Sequence, residues 1–569
     1  MYKQAVLTLL SILMYYQVSG QNQTQEIHRI ATFIKVWGFL KYYHPTLAAG
    51  KLDWDSLFVS NVPLIRHEQK ESYNRLLEEL LQKLGRVEKC VSCQPLGDMP
   101  DEWKRNLNFS WLYQDTLLSP AIKSKLQYLR ENRHQGESYY VGYAEERKTG
   151  PGPVAFRNEK EYADSLLLAQ DTYRLLSLAR HWNAVEYFFA YKYLLSRNWN
   201  QILEQYIPQL MRKMDLEHYH LTLTKLTREV EDGHAVMGNS RYLLENKWSK
   251  LVPFSVTYLD SQTIVSKIRY PELNQVNDIQ VGDIILQVDK VDQQEIRKRV
   301  YPFFKGSNEV VTQGAINNIL FAGTSDKVQV QLKRGGKVKT VEVTRYPFKA
   351  FWNYKFPSKK VLTLTESCAM IDLGHLKREQ VDSVMQVATK QKAIIFDLRN
   401  YPQVMLGDLM HYLTDEYKAG YREYDPTLDF VGVFQPYQIA QGKVDSGKVY
   451  KGLKVVLVNE YTQSMAEWYA MYFESLPNTV LMGSQTAGTD GSITSIPLPG
   501  KINAIFTNVI IEYPDGTQSQ KNGIKVDYTV LPTAADIKIG RDSILQFAIN
   551  YCRQEVKKQE KEKSKPISK

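Results

Sequence analysis

Apolar residues recur at three- and four-residue steps from Ile30 to about Tyr242 with few turn signals, which predicts a long helical region. The run Leu216, Tyr219, Leu223, Leu226, Val230 marks one face of a helix, and Asp232-Gly233 ends it, glycine being the usual residue just past a helix C-terminus. His234 therefore emerges at a helix end, where its side chain can face a cleft. From Val252 to about Tyr346 the pattern changes to short β-rich runs, Val256–Tyr258, Ile284–Val288, Val328–Leu332 and Val338–Val343, with an amphipathic patch over Gly314–Leu320. From about Phe348 strand and helix alternate. Ala393–Leu398 and Lys454–Val458 are continuous apolar runs suited to strands buried on both faces, Ser464–Ser475 reads as a helix, and Thr479–Met482 reads as a further buried strand. Strand, crossover helix and strand imply a βαβ unit and a parallel sheet. Asn508–Glu512, Pro514-Asp515-Gly516 and Ile524–Val530 predict a hairpin beside it, and no internal repeat at a fixed period is read.

A chain of 569 residues, 43% hydrophobic and 24% charged, is globular and holds several domains. The net charge of +10 is partly local, because Arg553–Lys569 contributes seven basic and three acidic residues; the rest is too dispersed for a phosphate backbone, so no nucleic-acid partner is expected. The start, a lone Lys3, an apolar run and the small residues Val18-Ser19-Gly20, matches a secretory signal over residues 1–20. That run is too short to span a bilayer, so the mature chain is expected to be exported, to a bacterial periplasm, cell envelope or the extracellular space, without an integral membrane segment. Cys90 and Cys93 form a C-x-x-C open to three readings: a small structural bridge, a redox dithiol, or half a zinc site without its second ligand pair. Whether Cys368 pairs with Cys552 is not legible.

Ser464 sits after a buried strand at the first turn of the following helix. There the Met465 N–H and the positive end of the helix dipole could stabilise an oxyanion. Equally, Ser464-Met-Ala-Glu467 spells a helix capping box. His218 and His220, adjacent but one on a helix, do not face each other and make a poor metal pair.

Two resemblances bear on these residues. Gly282-Asp-Ile-Ile-Leu-Gln-Val-Asp289 resembles the signature of PDZ domains, with Lys290 where a glycine is usual; PDZ domains take an extended peptide as an added strand. Asp397-Leu-Arg-Asn-Tyr-Pro402, Asn459 to Glu467, Gly483 to Gly488 and Asn522-Gly-Ile-Lys-Val-Asp527 arrive in the order of the C-terminal-processing (tail-specific) protease superfamily. Trp37 to Pro45 and Glu231-Asp-Gly-His234 resemble its tricorn-core, retinoid-binding-protein-like branch of exported bacterial serine peptidases. The resemblance implies a multidomain α+β fold: signal 1–20, helical region 21–245, PDZ-like domain 246–347, a crotonase-like α/β protease core 348–552 and a basic tail 553–569.

It further implies a Ser-His peptidase acting on peptides or unfolded chains without a cofactor. Ser464 would be the nucleophile, His234 the base, Met465 N–H the oxyanion donor, Gln520 the residue orienting His234, and Glu467 a brace for the nucleophile turn. Thr489 stands where the Ser-Lys branch has its lysine, Gly233 where the Ser-His branch has a serine, and Gln520 where that branch has a glutamate. Asp232, Asp490 and Asp515 are then the carboxylates available to support an imidazolium. Pro402 has no N–H, so the second oxyanion donor would come from Asn400, Tyr401 or Gln403. Two alternatives remain: the same fold with a degraded site, binding a peptide or small ligand, and a thiol-disulfide enzyme using Cys90 and Cys93.

Overall fold

A computed structural model describes residues 2–144, 152–238, 240–352, 360–439, 441–443, 447 and 449–563. The N-terminal region is built on α1 (Tyr2–Tyr43), which runs through the expected processing point, and α2 (Asp171–Phe188), buried on nearly every side. It contains an internal repeat whose spacing is too long for the short periods sought in the sequence. Trp37 and Trp54 exchange indole N–H to carbonyl hydrogen bonds (3.1 and 3.0 Å), and Trp182 and Trp199 do the same (2.9 and 3.1 Å). Tyr42 and Tyr187, the helix caps Asp53 and Asn198, and the prolines Pro63 and Pro208 inside the helices Trp54–Ile65 and Trp199–Met211 share the same offset of 145 residues. The two copies cross at equivalent positions, Gly38 against Asn183, where a Cβ on Gly38 would come 1.9 Å from Asn183 Cγ. Several buried charges of this region pair with one another. Glu159 accepts from Lys41 Nζ (2.5 Å) and pairs with Arg180 Nε (3.0 Å), and Arg180 also holds Asp55.

α3 (Leu216–Arg228) leads through Asp232–His234 into β1 (Val236–Gly238). The middle region forms a sheet of β2 (Phe254–Leu259), β3 (Gln262–Ile268), β4 (Ile284–Val288), and, after α4 (Gln293–Phe304) and α5 (Glu309–Ile319), β5 (Lys327–Arg334) and β6 (Lys337–Thr344). Its order is β6-β5-β4-β3-β2, with Val291–Asp292 paired to β4. All four β-rich runs read from the sequence are strands, and the amphipathic patch falls in α5.

The C-terminal sheet joins β7 (Leu362–Leu364), β8 (Ala369–Asp372), β9 (Ala393–Asp397), β10 (Leu453–Val458), then, after α6 (Met465–Glu474), β11 (Thr479–Gly483). A hairpin of β12 (Ile493–Leu498) and β13 (Ile502–Thr507) comes next, then β14 (Tyr528–Thr529) and α7 (Ser543–Lys563). The sheet order is β7-β8-β9-β10-β11-β14, parallel from β8 onward, so β10, α6 and β11 form the βαβ unit that the apolar runs imply. The hairpin expected over residues 508–530 is reduced to its turn, closed by a bridge of Glu512 to Gln518, and the two arms do not pair: Ile510–Glu512 runs antiparallel to Arg422–Glu423-Tyr424, and β14 pairs parallel with β11. The chain is a mixed α+β molecule with a helical N-terminal region and a sheet-rich C-terminal region.

β1 crosses over to pair with β13, Val236 opposite Ile505 and Gly238 opposite Asn503. The β12–β13 hairpin packs its inward residues, Ile496, Leu498, Ala504 and Phe506, into the apolar core of the helical region. The Ala190 N–H donates to Thr507 O (3.0 Å), and Asn508 Nδ2 donates to Phe188 O (2.6 Å). Cys90 and Cys93 are joined by a disulfide, whereas Cys368 and Cys552 are free thiols in one apolar cluster under α7.

Overpacking a helix crossing costs about 1–3 kcal/mol. Gly38→Ala should therefore lower the thermal unfolding midpoint by several degrees, and adding Asn183→Ala, which empties the opposing space, should recover most of the loss. Equal midpoints for Gly38→Ala and the wild type would contradict the crossing.

Candidate active site

The C-terminal ends of the parallel strands deliver four loops to one place, after β8, β9, β10 and β11. Ser464 ends the loop after β10, its backbone at φ 56°, ψ −124°. A residue with a Cβ pays on the order of 1–3 kcal/mol for such a conformation, and the cost persists only where the surroundings over-determine it. They do so here. The Asn459 N–H donates to Thr462 Oγ1 (3.0 Å), Thr462 Oγ1 donates to Leu398 O (3.0 Å), and the Ser464 N–H donates to Thr489 O (2.9 Å). The Ser464 hydroxyl makes no capping hydrogen bond to α6, so the serine half of the capping box is absent and the hydroxyl is left for chemistry. Met465 opens α6, where a helix leaves N–H groups without an intrahelical acceptor.

Glu467, fully buried one turn along α6, accepts from Thr486 Oγ1 (2.5 Å), Gly488 N–H (2.8 Å) and Thr489 N–H (2.9 Å). Burial pushes its pKa up to about 7 against those donors. The carboxyl thus pins the loop after β11, and that loop in turn supplies the carbonyl that holds Ser464.

His234 reaches this place because β1 is stitched onto β13. Its Nδ1 lies 2.9 Å from Thr507 Oγ1, and Thr507 Oγ1 lies 2.7 Å from Asp232 Oδ2. A carboxylate only accepts, so the threonine hydroxyl gives its proton to Asp232 and takes one from Nδ1–H. That assignment leaves Nε2 unprotonated and free to act as a base. Desolvation lowers the His234 pKa below its ordinary 6.5, although Asp232 works against it, so the neutral base prevails at neutral pH.

Asp232, 0% exposed, also accepts from the Thr507 N–H (3.0 Å), the His234 N–H (3.2 Å) and Gln520 Nε2 (3.3 Å). Gln520 therefore touches Asp232, and no hydrogen bond joins it to the His234 ring. Of the three carboxylates considered, Asp515 closes an exposed turn with the Thr517 N–H, and Asp490 Oδ2 is buried without a partner. Burial and the nearby Glu467 raise the Asp490 pKa well above the usual carboxylate range, which disfavours a negative charge at this position.

No hydrogen bond joins Ser464 Oγ to the His234 ring; what unites their backbones is Thr489. Its carbonyl accepts the Ser464 N–H, and its hydroxyl accepts the Gly233 N–H at 3.2 Å. Among the second oxyanion donors considered, the Gln403 N–H is committed to Leu373 O (3.0 Å), which leaves Asn400 and Tyr401 on the loop after β9. His218 bonds Asp215 and His220 bonds Ser240, so neither faces this site. Sequence reasoning missed Thr507. A threonine ending an alternating strand carries no signal of its own, and only the pairing of β1 with β13 reveals its partner.

Residues 367–530 match the family model "Peptidase family S41". No curated protein matches the chain in sequence. Among solved structures, mature CPAF complexed with lactacystin is similar over 68% of this chain and 98% of its own, at 14% identity and a TM-score of 0.54. Mature CPAF alone is similar over 65% and 94%, at 13% identity and a TM-score of 0.51. At these identities the likeness is one of fold. The matched segment holds Ser464, Glu467, Thr486 to Thr489, Thr507 and Gln520, while His234 enters from outside it. Residues 367–530 thus form a peptidase family S41 domain, that of the C-terminal-processing proteases, and this domain supports a serine-type peptidase.

Proposed function

We propose that the chain is an exported peptidase that cleaves peptides or unfolded protein chains through an acyl-enzyme. Ser464 Oγ attacks the scissile carbonyl while His234 Nε2 takes its proton. The carbonyl oxygen, now negative, is met by the Met465 N–H at the start of α6, and His234 returns the proton to the leaving amine. Water, deprotonated by the same imidazole, then releases the acyl group from Ser464. Through Thr507, the charge of Asp232 supports the imidazolium formed between these steps, and Thr507 orients the ring, a part that the family resemblance gives to Gln520.

The observation that carries this reading is the convergence on Thr489 of a serine freed from capping and the backbone of Asp232–His234. It favours catalysis over the ligand-binding alternative, because a degraded site has no need to hold a strained serine beside a tautomer-fixed imidazole. Substrate capture by the middle region rests on its PDZ-like signature and on β2, an edge strand flanked by α5, where an extended chain end could add as a strand. Export rests on the signal-like residues 1–20.

A fluorophosphonate probe applied to the full chain should form an adduct at Ser464. The adduct should vanish in Ser464→Ala and form about 10²–10⁴-fold more slowly in His234→Ala. A wild-type chain that stays unlabelled and inactive on unfolded protein would establish the binding-protein alternative. Activity lost in Cys90→Ala but kept in Ser464→Ala would establish the thiol route.

The pH dependence comes from the lowered pKa of His234. The neutral base persists as the solution is acidified through pH 6.5, so the acid limb of kcat/KM should fall below that value. Thr507→Val removes the acceptor that fixes the tautomer and should cost about 10²-fold in kcat/KM. An acid limb at or above pH 7, or an unchanged Thr507→Val enzyme, would contradict the relay.

A further inference from the structure

The segment between α4 and α5 of the middle region reaches the loop after β11. Ser307, buried at 6% exposure, donates from Oγ to Ala487 O (2.5 Å) and accepts from Thr489 Oγ1 (2.7 Å). Beside it, Asn308 Nδ2 donates to Thr486 O (2.9 Å) and Lys521 O (3.3 Å). Lys305 completes the contact by pairing with Glu231 at 2.6 Å, a carboxylate that also holds Lys521 and Ser196. Hydrogen bonds and ion pairs hold its pKa down at about 2, so it stays charged throughout the range in which the enzyme would work.

Gly233 lies against the same hydroxyls. A Cβ built there would stand 2.3 Å from Thr489 Oγ1 and 3.3 Å from Ser307 Oγ. The space a side chain at 233 would fill is therefore taken by two hydroxyls from elsewhere in the chain. They form a chain of bonds: Gly233 N–H to Thr489 Oγ1, Thr489 Oγ1–H to Ser307 Oγ, Ser307 Oγ–H to Ala487 O. Thr489 Oγ1 has one proton, and Ser307 Oγ at 2.7 Å is a closer acceptor for it than Ala487 O at 3.4 Å. With that proton directed to Ser307, the oxygen presents a lone pair to Gly233 and fixes the peptide that leads into His234.

The geometry points to Ser307 as a positioning residue of the active site, supplied by the middle region and acting on His234 and Ser464 through Thr489. This inference rests on the Ser464–His234 reading. It requires that residue 233 carry no side chain.

The test uses the full chain and the rate of fluorophosphonate labelling, which reports the reactivity of Ser464 without substrate capture, alongside kcat and KM for an unfolded protein substrate. Ser307→Ala should slow labelling about tenfold and lower kcat to match, with KM and the thermal midpoint near wild type. Thr489→Val should do the same, Thr489→Ser should label at close to the wild-type rate, and Ser307→Ala combined with Thr489→Val should be no slower than the worse single variant, because both break one chain of bonds. Wild-type labelling in Ser307→Ala, a raised KM with kcat unchanged, or losses that multiply in the double variant would each overturn the inference. If Ser307→Ala fails to fold, equal labelling of Thr489→Val and Thr489→Ser overturns it as well. Labelling that persists in Ser464→Ala refutes the underlying reading instead, whereas a dead Ser464→Ala beside an unaffected Ser307→Ala refutes this inference alone.

Discussion

A carboxylate removed from water must be met by donors, since burying it unpaired costs far more than any single contact returns. Asp232 meets that condition only because four donors from three stretches of chain close around it: the Thr507 N–H and hydroxyl, the Gln520 amide, and the His234 N–H. None of these stretches can supply the set alone. The end of the helical region, the end of β13 and the segment before Gly523 must arrive together, and when they do the histidine backbone is fixed as a by-product. The His234 backbone is thus anchored by the same bonds that satisfy a buried charge, which ties the order of the site to the integrity of the fold.

The duplicated helical unit gives that anchor something rigid to hang from. Reciprocal tryptophan bonds in each copy and the close Gly38–Asn183 crossing leave little room for the copies to slide. The β12–β13 hairpin then inserts its apolar face into the resulting core, so Thr507 is held from the helical side by Ala190 and Asn508 rather than by the parallel sheet. Ser464 and His234 therefore belong to different parts of the fold: Ser464 is carried by the parallel sheet, and His234 by the helices and hairpin. The loop after β11 is where the two are reconciled.

Local signals are the ones legible in the sequence. β9, β10 and β11 announce themselves as unbroken apolar runs, and Ser464 declares a strand-to-helix turn by its position between one such run and an amphipathic helix. His234 is legible as the residue just beyond a glycine-ended helix. The partners of these residues are not legible, because pairing in a sheet is set by where distant strands land. Ile510–Glu512 looks like the first arm of a hairpin turned at Pro514-Asp515-Gly516, yet its actual partner, the strand at Arg422, lies in a long excursion between β9 and β10. The helical repeat escapes notice because its two copies share a handful of tryptophan, tyrosine and proline positions across 145 residues, far beyond the spacing of solenoid repeats. Counting back from Gly523 assigns Gln520 to the imidazole. The distance along the chain is right, but the side chain points one group deeper, to the carboxylate behind the threonine.

The departures of this chain from the two catalytic branches are linked in space. A threonine where the Ser-Lys branch has its base, and a glycine where the Ser-His branch has a serine, read as two separate losses. In the structure the threonine hydroxyl occupies the volume the glycine leaves free, and neither could change alone without a collision or a void. A glycine before His234 loses the local hydroxyl and gains backbone freedom, which must be restrained from outside if the imidazole is to keep its aim. Thr489 supplies the restraint, and Ser307 fixes the direction in which Thr489 can give it. The cost of the arrangement is dependence: a histidine that a neighbouring serine could have steadied from within its own loop now relies on a hydroxyl carried by another region of the chain.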